Sequence, residues 1–133
     1  MSNALQRFKE ALATDAETTA VIAEREIVLK FDSWVNAKGY YRAEQTMKQV
    51  AEELGLSHSE MSWVCQRVYG DSFLSLRRRL RLSDASRMLV EEMSVPISAI
   101  ADRVGIPDRT NFRRQFYSEF GMTPQQWRDK HHP

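Results

Sequence analysis

The apolar positions along this chain recur at spacings of three and four, the mark of helices that bury one face. Leu5, Phe8 and Leu12 predict a short amphipathic helix, and a longer one over about Ala16 to Ala37 carries Ile27, Phe31, Trp34 and Val35 on one face before Lys38 and Gly39 close it. Thr46 then reads as the N-cap of a helix with Met47, Val50, Ala51 and Leu54 inward, ended by Gly55. Ser57 caps the next, whose inward residues are Met61, Val64, Cys65 and Val68. From Ser72 to Met93 there is no Gly or Pro, so this stretch reads as one long helix with Leu76, Leu80, Leu82, Ala85, Met88 and Leu89 available for burial. Ile97, Ile100, Ala101 and Val104 form the apolar face of a short helix that stops at Gly105. Pro107 and Asp108 restart the chain, with Asp108 the expected N-cap of a helix in which Phe112, Phe116 and Phe120 make one inward stripe.

The last of these patterns repeats an earlier one. Ala51 and Ala101, and Gly55 and Gly105, stand 50 residues apart; Met61 and Phe112, Cys65 and Phe116, Gly70 and Gly121, Leu76 and Trp127, and Arg77 and Arg128 stand 51 apart. One residue has been added in the turn of the second copy, and the match at so many positions reads as a duplication.

Composition narrows the class. The chain has 133 residues, 42% of them apolar, enough for one ordinary domain or two very small ones sharing a helix. No run approaches eighteen apolar residues and no charged-then-apolar leader opens the chain, so neither a membrane span nor secretion is expected. Cys65 is the single cysteine and forms no internal disulfide, which fits a reducing cytoplasm. Ser2, Asn3 and Ala4 after Met1 read as a cloning remnant, which fits a piece cut from a longer protein. His58, His131 and His132 lack metal-ligand spacing, so no metal is expected and no cofactor is called for. An enzyme is excluded by the lack of a glycine-rich phosphate loop, paired cysteines or a zinc-type histidine motif.

Net charge is only +1, but its make-up shifts along the chain. From Thr46 onward there are thirteen basic residues, eleven of them Arg, against eleven acidic ones; before it there are six against seven. A guanidinium binds phosphate or a guanine edge with two parallel hydrogen bonds. Opposite the inward stripes, Ser59, Ser62, Trp63, Gln66 and Arg67 face outward from the first copy and Arg109, Thr110, Arg113, Arg114 and Tyr117 from the second. Outward arginine beside a tight helix-helix turn fits a DNA major groove. About twenty residues of connecting helix span about 30 Å, close to the roughly 34 Å between successive major grooves on one face of B-DNA. In the run Arg77, Arg78, Arg79 and Arg81 the side chains spiral around the helix, so they cannot all face one partner. Arg78 is the candidate phosphate contact and Arg81 an internal salt-bridge residue. Arg114 is open between a structural role and contact, Trp63 between DNA and the connector, and Cys65 reads as buried apolar filler. The N-terminal segment reads as a packing or linking helix, or as a dimerisation surface or tether.

With Ile100, Ala101, Val104, Gly105, Asp108, Phe112, Arg114, Phe116, Phe120, Gly121, Thr123, Pro124, Trp127 and Arg128 in place, and Arg81, Ala85 and Leu89 in the connector, the chain from about Thr46 to Arg128 resembles the AraC/XylS family of bacterial transcription regulators. It departs from that pattern at Ile106, Cys65 and Tyr117. The resemblance implies an all-α fold of two homeodomain-like helix-turn-helix subdomains (46–71 and 94–133), a linker helix (72–93) and an N-terminal helical extension (1–45). It implies a sequence-specific, DNA-binding transcription factor that inserts two recognition helices into successive major grooves, with double-stranded DNA as partner. Ser59, Glu60, Ser62 and Trp63 would face bases from the first reading helix, and Arg109, Thr110 and Arg113 from the second. It further implies contact with RNA polymerase, and a homodimer made through a missing domain or the N-terminal extension. The alternative is a helix-turn-helix scaffold used as a protein-interaction module.

Overall fold

The computed structural model describes residues 3–132 and contains only helices and turns, with no β-strand among the described residues. In chain order these are α1 (Asn3–Asn36), a 3-10 turn (Gly39–Tyr41), α2 (Met47–Leu54), α3 (His58–Tyr69), α4 (Phe73–Glu91), α5 (Ile97–Arg103), α6 (Arg109–Phe120) and α7 (Pro124–Lys130). No helix among the described residues is long and apolar enough to cross a membrane.

The helix starts follow from local hydrogen bonding. Thr46, Ser57, Ser72, Asp108 and Thr123 each accept a bond from a backbone N–H three residues on, satisfying a donor that the first turn leaves orphaned. At Thr46, Ser57 and Thr123 the side chain three residues later reaches back to close a capping box. Pro96 stands before α5 without any side-chain cap.

The buried residues gather in two clusters. Phe31, Trp34, Tyr40, Val50, Met61 and Val64 are among the residues of the first, which closes on Phe73 and Leu76 at the start of α4. Leu82, Ala85, Met88 and Leu89 from the rest of α4 join Ile100, Val104, Ile106, Phe112 and Phe116 in the second. Tyr41 packs against both. The duplicated register has a matching pair of ties: Arg77 donates to the carbonyl of Gln45, just ahead of α2, and Arg128 donates to that of Val95, just ahead of α5, and to those of Leu89 and Glu92 at the end of α4.

Three expectations change. The two helices read from the first 37 residues are one continuous helix, because no Gly or Pro interrupts Asn3–Asn36. The side chains of Phe8 and Leu12, and Ser2 of the suspected remnant, lie outside what the structure describes, whereas Asn3 and Ala4 are helical and Leu5 is exposed. Val68, read as inward, is 46% exposed, because it lies in the last turn of α3, past the face that Met61, Val64 and Cys65 bury. Arg81 is not in an ion pair among the described residues. Its Nε donates to the Tyr40 carbonyl at 2.5 Å and its other end to the Arg42 carbonyl at 2.8 Å, because the 3-10 turn brings carbonyls to it rather than a carboxylate.

Candidate nucleic-acid interface

Two twelve-residue helices, α3 and α6, stand at corresponding places in the two clusters. Each buries one face, Met61, Val64 and Cys65 in α3 and Phe112 and Phe116 in α6, so the opposite face is left to solvent. On α6 the exposed residues include Arg109, Thr110, Arg113, Arg114 and Tyr117, as the spacing predicts. On α3 Ser59, Ser62, Gln66 and Arg67 are exposed.

Two residues of α3 sit otherwise. The Glu60 carboxylate accepts the Ser57 backbone N–H at 2.8 Å, which together with the Ser57 side chain holds it below the usual carboxylate range. Trp63 is half-buried against the first cluster, and with Glu24 of α1, Gln66 and Arg67 it lines a cleft between α1 and α3. The spacing of α3 alone could not show this, since it depends on where α1 runs.

From Arg42 onward the arginines sort into three environments, while Arg7 and Arg25 are exposed on α1. Arg42, Arg79, Arg87 and Arg103 sit in ion pairs with Glu53, Asp71, Asp84 with Glu91, and Glu92. Arg77, Arg81 and Arg128 are wholly or partly buried and hold backbone carbonyls. Burial, with Arg77 beside it, lowers the pKa of Arg81 to about 10, which leaves it charged at neutral pH. The exposed Arg67, Arg78, Arg109, Arg113 and Arg114 form no ion pair among the described residues. Arg114 bonds the Asn111 side-chain oxygen at 3.0 Å.

Arg78 of α4 and Arg114 of α6 line one groove together with Asn111, Gln115, Ser118 and Glu119. Arg109 and Arg113 line another, floored by Ala101 and Phe112 and rimmed by Ser98, Thr123 and Gln125. Those three rim residues were not among the candidates, although Thr123-Pro124 carries an evident helix-start signal. No residues common to α3 and α6 line any of these grooves, so the candidates fall into two separate groups. Cys65 is fully buried, and burial pushes its thiol up to about 11, as fits apolar filler. No group of His, Cys, Asp and Glu suited to a metal ion occurs among the described residues.

The chain is 29% identical over 85 residues to RclR of Escherichia coli K12, an RCS-specific HTH-type transcriptional activator; the match takes in 64% of this chain and 30% of that protein. It is similar to the C-terminal domain of AraT, a response regulator from Geobacillus stearothermophilus (TM-score 0.72, 28% identity, 80% of this chain and 87% of that one). The C-terminal domain of the two-component response regulator yesN from Fusobacterium nucleatum shares the fold (TM-score 0.62, 23% identity, 83% and 98%).

The assignment to AraC/XylS regulators is corrected by the similarity to the C-terminal domain of AraT, a response regulator. The reason is physical: most residues that carried the resemblance, Ile100, Val104, Gly105, Asp108, Phe112, Phe116 and Arg128 among them, are packing and capping residues. They specify how helices pack and say little about the class of regulator the domain serves. A family described as helix-turn-helix domain matches residues 50–130, well over half of the sequence, and the chain belongs to that family.

Proposed function

We propose that this chain is a sequence-specific DNA-binding domain of a transcriptional regulator, with α2–α3 and α5–α6 as two helix-turn-helix units and α4 as the linker between them. The observation that carries it is the placement of the arginines from Arg42 onward: Arg67 on α3, Arg109, Arg113 and Arg114 on α6, and Arg78 are exposed and form no ion pair among the described residues, while the others in that part of the chain are bound to carboxylates or backbone carbonyls. Exposed guanidinium groups without carboxylate partners are available to phosphates and guanine edges. In this reading α3 and α6 enter successive major grooves. Ser59, Ser62, Gln66 and Arg67 face DNA from the first, and Arg109, Thr110 and Arg113 from the second. Arg78 and Arg114 hold phosphate, and Glu60 and Trp63 shape the flank of α3. The 19 residues of α4 make a rod of about 28 Å, a length suited to that separation.

The similarity to RclR, named a transcriptional activator, supports the regulatory part of the proposal and RNA polymerase as a further partner. A homodimer through α1 is favoured by its exposed Val21, Ile22 and Leu29, which leave an apolar strip on a helix that is otherwise in solvent over residues 16–26.

The test is binding to mixed genomic DNA as a function of salt. Each phosphate neutralised contributes about −0.9 to the slope of log K against log salt concentration, so affinity falls steeply as salt rises. Absence of binding at low salt, or a flat response, removes the DNA reading and leaves a protein-interaction module.

A further inference from the structure

The turn after α1 does more than reverse the chain. Lys38 takes a left-handed conformation (φ 59°), and residues 39–42 then cross the middle of α4. Tyr40 and Tyr41 stack edge-on with ring centres 5.0 Å apart, and both hydroxyls donate to one oxygen of Asp84, at 2.5 and 2.6 Å. One helical turn earlier, Arg81 grips the same strap by the carbonyls of Tyr40 and Arg42. The strap is therefore held to α4 by its side chains and by its backbone.

Its far side meets the second unit. Gly105, in the turn between α5 and α6 with φ +91°, packs so closely on the strap that a Cβ there would stand 2.4 Å from the Tyr41 carbonyl oxygen and 3.2 Å from Arg81 Nε. Gly55, its counterpart in the first turn, has nothing within 4 Å of the same position. The duplicated sequence thus carries an unduplicated contact. The buried ring of Tyr40 lies in the first cluster and Tyr41 touches both, so the strap is wedged between the units at the one level of α4 where the two cores meet.

We infer that Tyr41, Arg81, Asp84 and Gly105 are positioning residues that fix α3 and α6 relative to each other, and thereby select the spacing of the two DNA half-sites the protein accepts. The inference rests on the proposed DNA-binding function and deepens it. A stiff joint makes binding of the second helix effectively intramolecular at one spacing and forfeits that gain at others. A loose joint lets both helices bind over a range of spacings, each with less advantage.

The experiment uses the site obtained by selection from random duplexes, resynthesised with one to five base pairs inserted or removed between the half-sites. Wild-type protein is expected to prefer its own spacing by about tenfold or more. Tyr41→Phe, which removes one hydroxyl and keeps the ring, and Asp84→Asn are expected to flatten that preference at least severalfold while binding each half-site alone as the wild type does. Gly105→Ala is expected to act in the same direction more strongly. A second readout needs no DNA: spin labels on Ser62→Cys and Thr110→Cys, with Cys65 fully buried, report the α3–α6 distance distribution. It should be narrow in the wild-type background and broad with Tyr41→Phe. Wild-type protein that binds no duplex overturns the DNA reading. Variants that keep both the spacing preference and the narrow distribution, or that lose affinity equally at every spacing, overturn the positioning role alone.

Discussion

The two helical pairs share a register, yet they build their cores from different sources. The second draws its rings from its own end of the chain: Phe112, Phe116, Phe120 and Trp127 form a chain of tilted or edge-on rings with centres 4.6 to 5.9 Å apart, all from α6 and α7. The first has Met61 and Cys65 where the second has Phe112 and Phe116, and it borrows its rings from outside the repeat. Phe31 and Trp34 come from α1 and Tyr40 from the strap, where they pack with Tyr69 and Phe73. The end of α1 is part of the first core. What a repeat preserves is the placement of helices; the atoms that fill the space between them can come from anywhere the chain reaches.

The largest effects should fall on these rings. Phe31→Ala and Phe116→Ala should each cost about 3–5 kcal/mol in urea unfolding, whereas Cys65→Ala, at the position matching Phe116, should cost about 1 kcal/mol, because far less volume is removed. Equal losses at Cys65 and Phe116 would show that the two cores are filled alike after all.

Next in size is the contrast between the glycines. Gly55→Ala should cost about 1–2 kcal/mol, the strain of a left-handed residue with a Cβ and nothing else. Gly105→Ala adds a collision with backbone, for a further loss of about 1–3 kcal/mol. A thermal melt of the two variants side by side measures the difference, and matching melting temperatures would mean that the strap yields freely.

Comparable in size, but read in DNA binding rather than folding, is the contrast between the outer faces. Arg109→Ala or Arg113→Ala should weaken a selected site by about 1–3 kcal/mol and relax preference at one base position, if the side chain reads a base edge. Arg78→Ala should instead weaken every sequence alike and lower the salt slope by about 0.9. Titrations on matched and mutated duplexes separate the two behaviours.

The smallest effect is one of pH. Burial pushes the Asp84 carboxyl up, but the hydroxyls of Tyr40 and Tyr41, with Lys38, outweigh it and hold the group below its ordinary 3.8. Its contribution is therefore present above that value and lost as the pH falls through the lower folded one. Burial, and then the bond to Asp84, raise both tyrosines above their ordinary 10.0, so their contribution is present below that value and lost as the pH rises through the folded ones. The strap should hold between about pH 4 and 10. Melting temperature against pH should show both limbs in the wild type and a weakened acid limb in Asp84→Asn. An unchanged acid limb would assign it to other carboxylates.

The sequence by itself determined what is local. Ser57 and Asp108 cap their helices as read, the stripe from Phe112 to Phe120 turns inward, and Arg109 and Arg113 turn outward, because caps and faces follow from spacing within one helix. Only the tertiary structure decided what lies opposite each face. It laid α1 beside Trp63 and gave Arg81 carbonyls in place of a carboxylate. It also made Gly105 a contact while leaving Gly55 open. Period and capping are properties of a few neighbouring residues, whereas a partner some forty residues away along the chain, as Tyr41 is from Asp84, is fixed only when the helices pack.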